Sequence, residues 1–367
     1  MSLLSLKPEP VVGIDISSTA IKLVELTRAG KDSYQVENYA IEPLPDKIIE
    51  DKTINAAKED ATEIVGQAIA RVIARTKPKA QQAAVAVSGP GVITKTITME
   101  EMSERDILEA LQTDSGYLQL PEEEEFKIDF EVLGPNEKEP ARIDVLVAAA
   151  RANTVDTLIA AIEMGGLKTK VVDIEKYALE NAFILIAEND PAINAQDETI
   201  ALVEVGATTT TMNILGNLQI IFTREELFGG RSLTEEIQHR YGLSYEEANI
   251  AKRENTLPED YESEILEPFK VEMAQQISRM VQYYYSMEVS SKYGNLSHVL
   301  IAGGCASIPG IEEHVRNKVG GHVSIANPFT LPNMSISSKV NRDALIIDAP
   351  ALVTAFGLAL RTFDTHY

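Results

Sequence analysis

Apolar positions along the first ninety residues follow two periods, one of a strand and one of a helix. Alternating and continuous apolar runs predict strands at 10–16, 20–27 and 33–43, with Gly30-Lys31-Asp32 as the turn between the second and third. Ala57, Ala61, Ile64, Val65, Ala68, Ile69, Val72 and Ile73 then recur at helical spacing and predict a helix over 56–75. Ala83-Ala84-Val85-Ala86-Val87 reads as a buried strand ended by Ser88-Gly89-Pro90-Gly91. Hairpin-related strands followed by a helix and a further strand make a mixed α/β sheet, not a chain of βαβ units.

The texture changes at 92–169. A short helix is expected over 103–111 with Ser103 as N-cap, then alternating strands at 126–133 and 141–150, then a helix at 153–164. This pattern fits a small α+β unit inserted into the first half. The acidic run Glu122-Glu123-Glu124-Glu125 reads as a solvated loop. A buried strand at 168–174 and a helix at 175–188 resume the first pattern. A second strand–turn–strand opens near 199. Helices are expected at 231–241, 244–254 and 260–291, and Val299-Leu300-Ile301 runs as a strand into Gly303-Gly304. Pro309 is placed to start a helix at 309–318, and 327–347 reads as a long connection. The final helix, 349–361, carries Ala349, Ala351, Ala355, Gly357 and Ala359, which permit close packing.

The chemistry concentrates in three turns at strand ends. Gly13-Ile14-Asp15-Ile16-Ser17-Ser18-Thr19-Ala20-Ile21-Lys22 and Val203-Glu204-Val205-Gly206-Ala207-Thr208 share one design: an apolar strand, an acidic residue near its end, then a turn of small and hydroxyl residues. The third is Ala302-Gly303-Gly304-Cys305-Ala306-Ser307. Turns of this composition bring backbone N–H groups close to an anion, and the adjoining carboxylate can hold Mg²⁺ directly or through water. Any one of them is equally a structural turn; the order and spacing of all three point to a nucleotide gripped from both sides. No G-x-x-x-x-G-K-[ST] or G-x-G-x-x-G fingerprint occurs, which disfavours P-loop and Rossmann chemistry.

Composition narrows the partners. A net charge of −23 over 367 residues argues against nucleic acid. Cys305 is the single cysteine, so no internal disulfide or thiolate cluster forms, and the five histidines show no zinc-ligand spacing. The N-terminal residues 1–8 lack a signal-peptide pattern, and no stretch reads as approaching the ~20 apolar residues of a membrane span. A cytoplasmic protein that meets the membrane only through partners is expected.

On these motifs the chain resembles the PilM family of type IV pilus inner-membrane platform proteins, in the actin-like ATPase superfamily that includes FtsA and MreB. Leu300-Ile301-Ala302-Gly303-Gly304-Cys305-Ala306-Ser307-Ile308-Pro309-Gly310 matches the family's adenosine motif, and Phe228-Gly229-Gly230-Arg231-Ser232-Leu233-Thr234 its helix start near the phosphates. Val171-Val172-Asp173-Ile174-Glu175 corresponds to its first connecting segment, and 349–361 resembles the second. The resemblance implies an actin-like (ribonuclease H-like) two-domain fold around an interdomain cleft. Domain 1A would comprise 1–91, 170–198 and 348–367, an FtsA-type 1C subdomain 92–169, and domain 2 the remainder, 199–347. It implies ATP or ADP with Mg²⁺ as cofactors. Asp15 would orient the metal through water, with Glu204 opposite. The N–H groups of Ser17, Ser18 and Thr19 would cradle phosphate, with Lys22 reaching toward it and Gly206, Ala207 and Thr208 forming the opposing cradle. Gly230, Gly303, Gly304 and Ser307 would admit the adenosine end. Lys252 either reaches the ribose or base or is a solvated helix lysine.

The family usually carries Asp where this chain has Glu204. An added methylene misplaces the carboxylate by about one bond, a shift that can cost ~100-fold in a positioned reaction, so weak or absent ATPase activity is expected. Glu175 or Asp173 could position water, or simply end a strand. The resemblance implies a scaffold that binds the cytoplasmic N-terminal tail of PilN at the cytoplasmic face of the inner membrane and links it to the pilus motor ATPases, with self-association as a further property. An extended peptide would lie between the first domain and the insert. The alternatives are an FtsA- or MreB-like filament former, a phosphotransferase of the same fold, and a GspL-like secretion domain.

Overall fold

Each predicted hairpin seeds its own sheet, and the two sheets repeat one strand order. The computed structural model describes residues 10–113, 115–121, 123–194 and 198–363; Glu122 of the acidic run and the segments 1–9 and 364–367 lie outside them. The first sheet contains β1 (Val11–Ile16), β2 (Ala20–Arg28), β3 (Tyr34–Pro43), β6 (Gln82–Val87), β10 (Lys168–Ile174) and β16 (Met334–Ile336), ordered β10-β6-β1-β2-β3-β16. The second contains β11 (Thr199–Val205), β12 (Thr210–Gly216), β13 (Gln219–Glu226), β14 (Leu296–Ala302) and β15 (His322–Ile325), ordered β13-β12-β11-β14-β15. In both, three antiparallel strands are followed by two added in parallel, and in the first sheet β16 adds a further parallel strand beside β3. The weak internal similarity of the sequence is thus a real repeat of topology.

Helices Glu175–Asn189 and Val353–Leu360 share one apolar core with residues of both sheets, where Phe183, Phe356 and Leu352 are fully buried. Each such side chain contributes about 2–3 kcal/mol on burial. The small residues of the last helix serve the close packing expected of them. A Cβ on Gly357 would sit 1.9 Å from the Ala178 carbonyl oxygen, and one on Gly13 would sit 2.1 Å from that of Ala355. Helices Ala61–Thr76 and Ala152–Met164 cover the other face of the first sheet.

The insert forms a three-stranded antiparallel sheet, β7 (Val92–Glu100), β9 (Arg142–Arg151) and β8 (Phe126–Pro135), in that order. Helix Glu104–Thr113 packs Ile107 and Leu111 onto it. Ser103 Oγ accepts the Asp106 N–H at 3.3 Å, as expected of an N-cap. The hairpin β4 (Ile49–Glu50) and β5 (Thr53–Ile54) projects from the first half.

Several expectations change. β7 was not predicted, although its Val/Ile/Thr run has strand composition, because its exposed Lys95 and Thr96 interrupt the apolar face. β13 was missed because it is an edge strand with mostly half-exposed residues. The single helix expected over 260–291 is a π-turn (Glu262–Leu266), a helix (Glu267–Ser286) and a short helix (Glu288–Tyr293). Pro268 sits in the first turn of the long helix, where its missing N–H is harmless, and Met287 breaks the chain with extended dihedrals. The next helix begins at Ile311, not Pro309, because Gly310 takes the left-handed conformation at its N-cap. The 327–347 connection holds helix Arg342–Asp348 and sends β16 to the edge of the first sheet, away from the second-domain segment that had claimed it. Finally, Arg342–Phe363 does form a helical run long and apolar enough to cross a membrane, but 61% of its apolar window is buried inside the protein. It is a core element, and its apolarity is explained by the two sheets around it.

Candidate functional site

The turns that close β1–β2 and β11–β12 have the same backbone construction. Ser17 N–H donates to the Ala20 carbonyl at 3.0 Å, and Gly206 N–H donates to the Thr209 carbonyl at 2.9 Å. Asp15 pairs in register with Lys22 across the first hairpin, and Glu204 pairs with Thr211 across the second. The expectation for Ser17 is therefore corrected: its N–H closes the turn and is not a phosphate donor, and the same holds for Gly206. The N–H groups of Ser18, Thr19, Ala207 and Thr208 have no protein acceptor among the described residues. These four remain to bind an anion.

Helix Gly230–Tyr241 locks the second turn. Gly230 N–H donates to the Gly206 carbonyl at 2.9 Å and Arg231 N–H to that of Ala207 at 2.7 Å. Gly230 lines the cleft, but its N–H is committed to protein, and a Cβ there would meet Cys305 Sγ at 2.8 Å. Its contribution is close packing, not donation. The third turn is equally tight. Gly303 (φ 86°) donates to the Pro350 carbonyl at 2.7 Å, and a Cβ on it would lie 2.3 Å from the Val205 carbonyl oxygen. Beside it Gly304 faces open space, with no atom within 4 Å of a Cβ. Ser307 Oγ donates to the Ile347 carbonyl at 3.1 Å.

Together these turns line one cleft of about 960 Å³, which brings together Asp15, Ser17, Ser18, Thr19, Lys22, Glu204, Gly206, Ala207, Thr208, Gly230, Lys252, Gly303, Gly304 and Ser307. Lys252 is half-buried in the cleft wall. Its Nζ donates to Thr234 Oγ1 at 2.7 Å within the wall, and burial lowers its pKa. Glu175 also faces the cleft, whereas Asp173 does not line it: Asp173 is buried and accepts from Arg361 Nε at 2.6 Å. Cys305 is a buried thiol, pushed up to about 11 by desolvation, with Sγ 3.6 Å from the Gly206 carbonyl.

Charge at the floor is dominated by carboxylates. Lys22 Nζ lies 2.9 Å from Asp15 Oδ2. Burial acts to lower the Lys22 ammonium, but Asp15, Glu204 and Glu175 outweigh it and raise its pKa. Glu204 accepts from Thr354 Oγ1 at 3.3 Å, and burial, reinforced by the Glu175 charge, pushes its carboxyl up to about 7. Sequence reasoning missed Lys52, Asp46, Tyr245 and Thr354. Lys52 and Asp51 occupy the tip of the β4–β5 hairpin with φ of 60° and 47°, a type I′ turn without its usual Asn or Gly signal.

The lining fits a nucleotide with Mg²⁺. Four unpartnered N–H groups from two facing turns suit phosphate oxygens, and the open wall at Gly304 leaves room for a larger group. Asp15, Glu175 and Glu204 would repel that phosphate without a cation between them. Among the described residues no group of three or more ligands forms a metal cage. Mg²⁺ needs none, since it keeps several waters and takes one or two carboxylates beside phosphate oxygens.

A family model described as type IV pilus assembly protein PilM matches residues 13–363. A solved structure described as a PilM–PilN type IV pilus biogenesis complex is similar at a TM-score of 0.75 and 22% identity, covering 97% of this chain and 99% of the other. The ethanolamine utilization protein EutJ from Carboxydothermus hydrogenoformans is similar at a TM-score of 0.54 and 18% identity, covering 97% and 91%. The fold is the two-domain actin-like one expected from the motifs.

Proposed function

Because the chain belongs to the type IV pilus assembly protein PilM family, we propose that it is a nucleotide-holding scaffold of the pilus assembly complex that recruits the cytoplasmic N-terminal tail of PilN. The observation that carries the nucleotide half of this reading is the pair of identically built turns facing one cleft, each with two unpartnered N–H groups. ATP or ADP with Mg²⁺ is the ligand they suit. Bound there, Mg²⁺ would neutralise phosphate charge, while Asp15 and Glu204 anchor its waters and Lys22 holds Asp15 in place.

Holding is favoured over turnover. Glu204 carries the displaced carboxylate of the longer side chain, a shift that can cost ~100-fold in a positioned reaction. A ligand that binds one arrangement of the two halves stabilises that arrangement without hydrolysis. The PilN half rests on the relative described as a PilM–PilN complex. The tail would lie as an extended segment between the first half and the 92–169 insert, holding the scaffold at the inner face of the inner membrane, beside the motor ATPases. Self-association belongs to the same proposal, as does the division into 1A, 1C and second-domain bodies, with β16 moved to the first.

The test is co-purification with PilN and with PilN lacking its tail, with and without ATP–Mg²⁺, for the wild type and Asp15→Ala. Tail-dependent capture that ATP strengthens only in the wild type supports the reading. Capture independent of the tail sinks the PilN half; tail capture and pilus assembly that survive in an Asp15→Ala protein unable to bind nucleotide sink the nucleotide-gated half.

A further inference from the structure

The β4–β5 hairpin carries one side chain into the cleft, and that side chain touches both halves of the protein. Lys52 Nζ lies 2.9 Å from Glu225 Oε2 on β13 of the second sheet and 3.7 Å from Glu175 Oε2 at the start of a first-half helix. Its position is fixed by backbone: the two-residue turn is held against Gly89, whose Cβ would lie 2.5 Å from the Asp51 carbonyl oxygen, and Ile49 beneath it is buried. Lys52 therefore cannot drift far from the cleft mouth, yet its side chain has a choice of partners.

Among the other cleft-lining cations, the three with carboxylate partners hold ones better shielded than Glu225, and Lys252 donates to Thr234. Lys22 is largely buried against Asp15, Arg231 is bonded to Asp46 with its guanidinium over the Tyr245 ring, and Arg71 lies 2.7 Å from Glu42. The Glu225 side chain, by contrast, is 47% exposed, so its hold on Lys52 is weakened by water and salt. Glu175 stands beyond hydrogen-bond distance. A doubly charged terminal phosphate entering the cleft offers Lys52 a stronger and drier partner than either.

We propose that Lys52 is the residue that reads the length of the bound polyphosphate, leaving Glu225 for the terminal phosphate of a nucleoside triphosphate and staying on Glu225 when a diphosphate is bound. This rests on the nucleotide reading of the cleft and adds a consequence to it. The Lys52–Glu225 tie joins the first-half hairpin to the edge strand of the second sheet, so a triphosphate exchanges a surface tie between the halves for one that passes through the ligand. The two nucleotide states then differ in how the halves are joined, without any hydrolysis.

Calorimetric titration of the full chain with ATP–Mg²⁺ and ADP–Mg²⁺ tests this on wild type, Lys52→Met, Lys52→Arg and Glu225→Gln. Expected is an ATP affinity reduced about tenfold in Lys52→Met with ADP within about twofold of wild type, and recovery of most of the loss in Lys52→Arg. Glu225→Gln, which removes the competing carboxylate, is expected to tighten ATP and leave ADP unchanged. Equal weakening of both nucleotides in Lys52→Met, no weakening of either, or weaker ATP binding in Glu225→Gln overturns the inference while leaving the nucleotide cleft standing. A wild type that binds neither nucleotide overturns both. Hydrogen exchange of residues 49–54 and 219–226 gives a second readout: ATP, and not ADP, is expected to change protection where the tie is exchanged.

Discussion

Arg231 Nη2 lies 2.5 Å from Asp46 Oδ1, joining the first turn of helix Gly230–Tyr241 to the loop that follows β3. The guanidinium also rests over the Tyr245 ring, 4.9 Å from its centroid. The same Arg231 donates its N–H to the Ala207 carbonyl, so this ion pair ties the second anion-binding turn to the opposite wall. Both partners are about one-quarter exposed, which limits the pair's stability contribution and leaves it salt-sensitive. Asp46→Asn is expected to lower folding stability by no more than about 1 kcal/mol. It should speed release of a fluorescent nucleotide about fivefold, a comparable free energy. Stopped-flow release at low and high salt checks this, with the wild type approaching the variant as salt rises.

Glu204 makes stability depend on pH in an unusual direction. Its folded carboxyl titrates at about 7 against 4.5 for the free side chain, first through burial and then through Glu175. The native state thus binds this proton more tightly than the unfolded chain. Its contribution is fully present below about pH 4.5 and is lost as pH rises through about 7. The span of that loss is roughly 3 kcal/mol. Glu204→Gln keeps an acceptor for Thr354 and has nothing to titrate. Urea unfolding between pH 5 and 8 should show the wild type losing stability relative to Glu204→Gln as pH rises. A constant difference across that range would show that Glu204 is not held protonated.

Lys22 is the counter-charge of Asp15 in this floor, its Nζ 2.9 Å from Asp15 Oδ2. Lys22→Met leaves Asp15 without its partner and removes one of the two cations, Lys22 and Lys52, that act on Glu204 and Glu175. Breaking such a pair in a largely buried setting costs about 2–4 kcal/mol. The loss is expected to be larger at pH 8 than at pH 5, where Glu204 carries its proton. Combining Lys22→Met with Glu204→Gln should recover part of it, and a double-mutant cycle measures the coupling. Strict additivity would mean the two groups do not sense each other.

The sequence made the β1–β2 and β11–β12 hairpins legible because strand period and turn chemistry agree there: an apolar run, one acid, then small hydroxyl residues. It could not show that Ser17 and Gly206 use their N–H groups inside the turn, since composition does not reveal which donors a turn consumes. Nor could it reveal Lys52, Asp46 or Thr354. They reach the cleft through tertiary pairing across 173, 185 and 150 residues of chain, and no local pattern encodes that. The long helix expected over 260–291 is present but for one break, at Met287, whose extended dihedrals no apolar period encodes.

Two adjacent glycines of the third turn separate fold from binding. At Gly303 a φ of 86° disfavours any L side chain, and the Val205 carbonyl oxygen stands 2.3 Å from where a Cβ would be. Gly303→Ala must displace the end of β11, and with it Glu204 and the second turn. Gly303 N–H also anchors the Pro350 carbonyl ahead of the final helix, so the displacement reaches the shared core. A loss of more than about 3 kcal/mol is expected, in the range of severe backbone and packing defects. Gly304 has no atom within 4 Å of a Cβ and lines the open cleft. Gly304→Ala should therefore leave thermal unfolding within about 0.5 kcal/mol of wild type. Any change it makes in ATP affinity reports a methyl group placed against the ligand. Equal destabilisation by the two substitutions would show that Gly303 is not the joint through which the final helix positions the second turn.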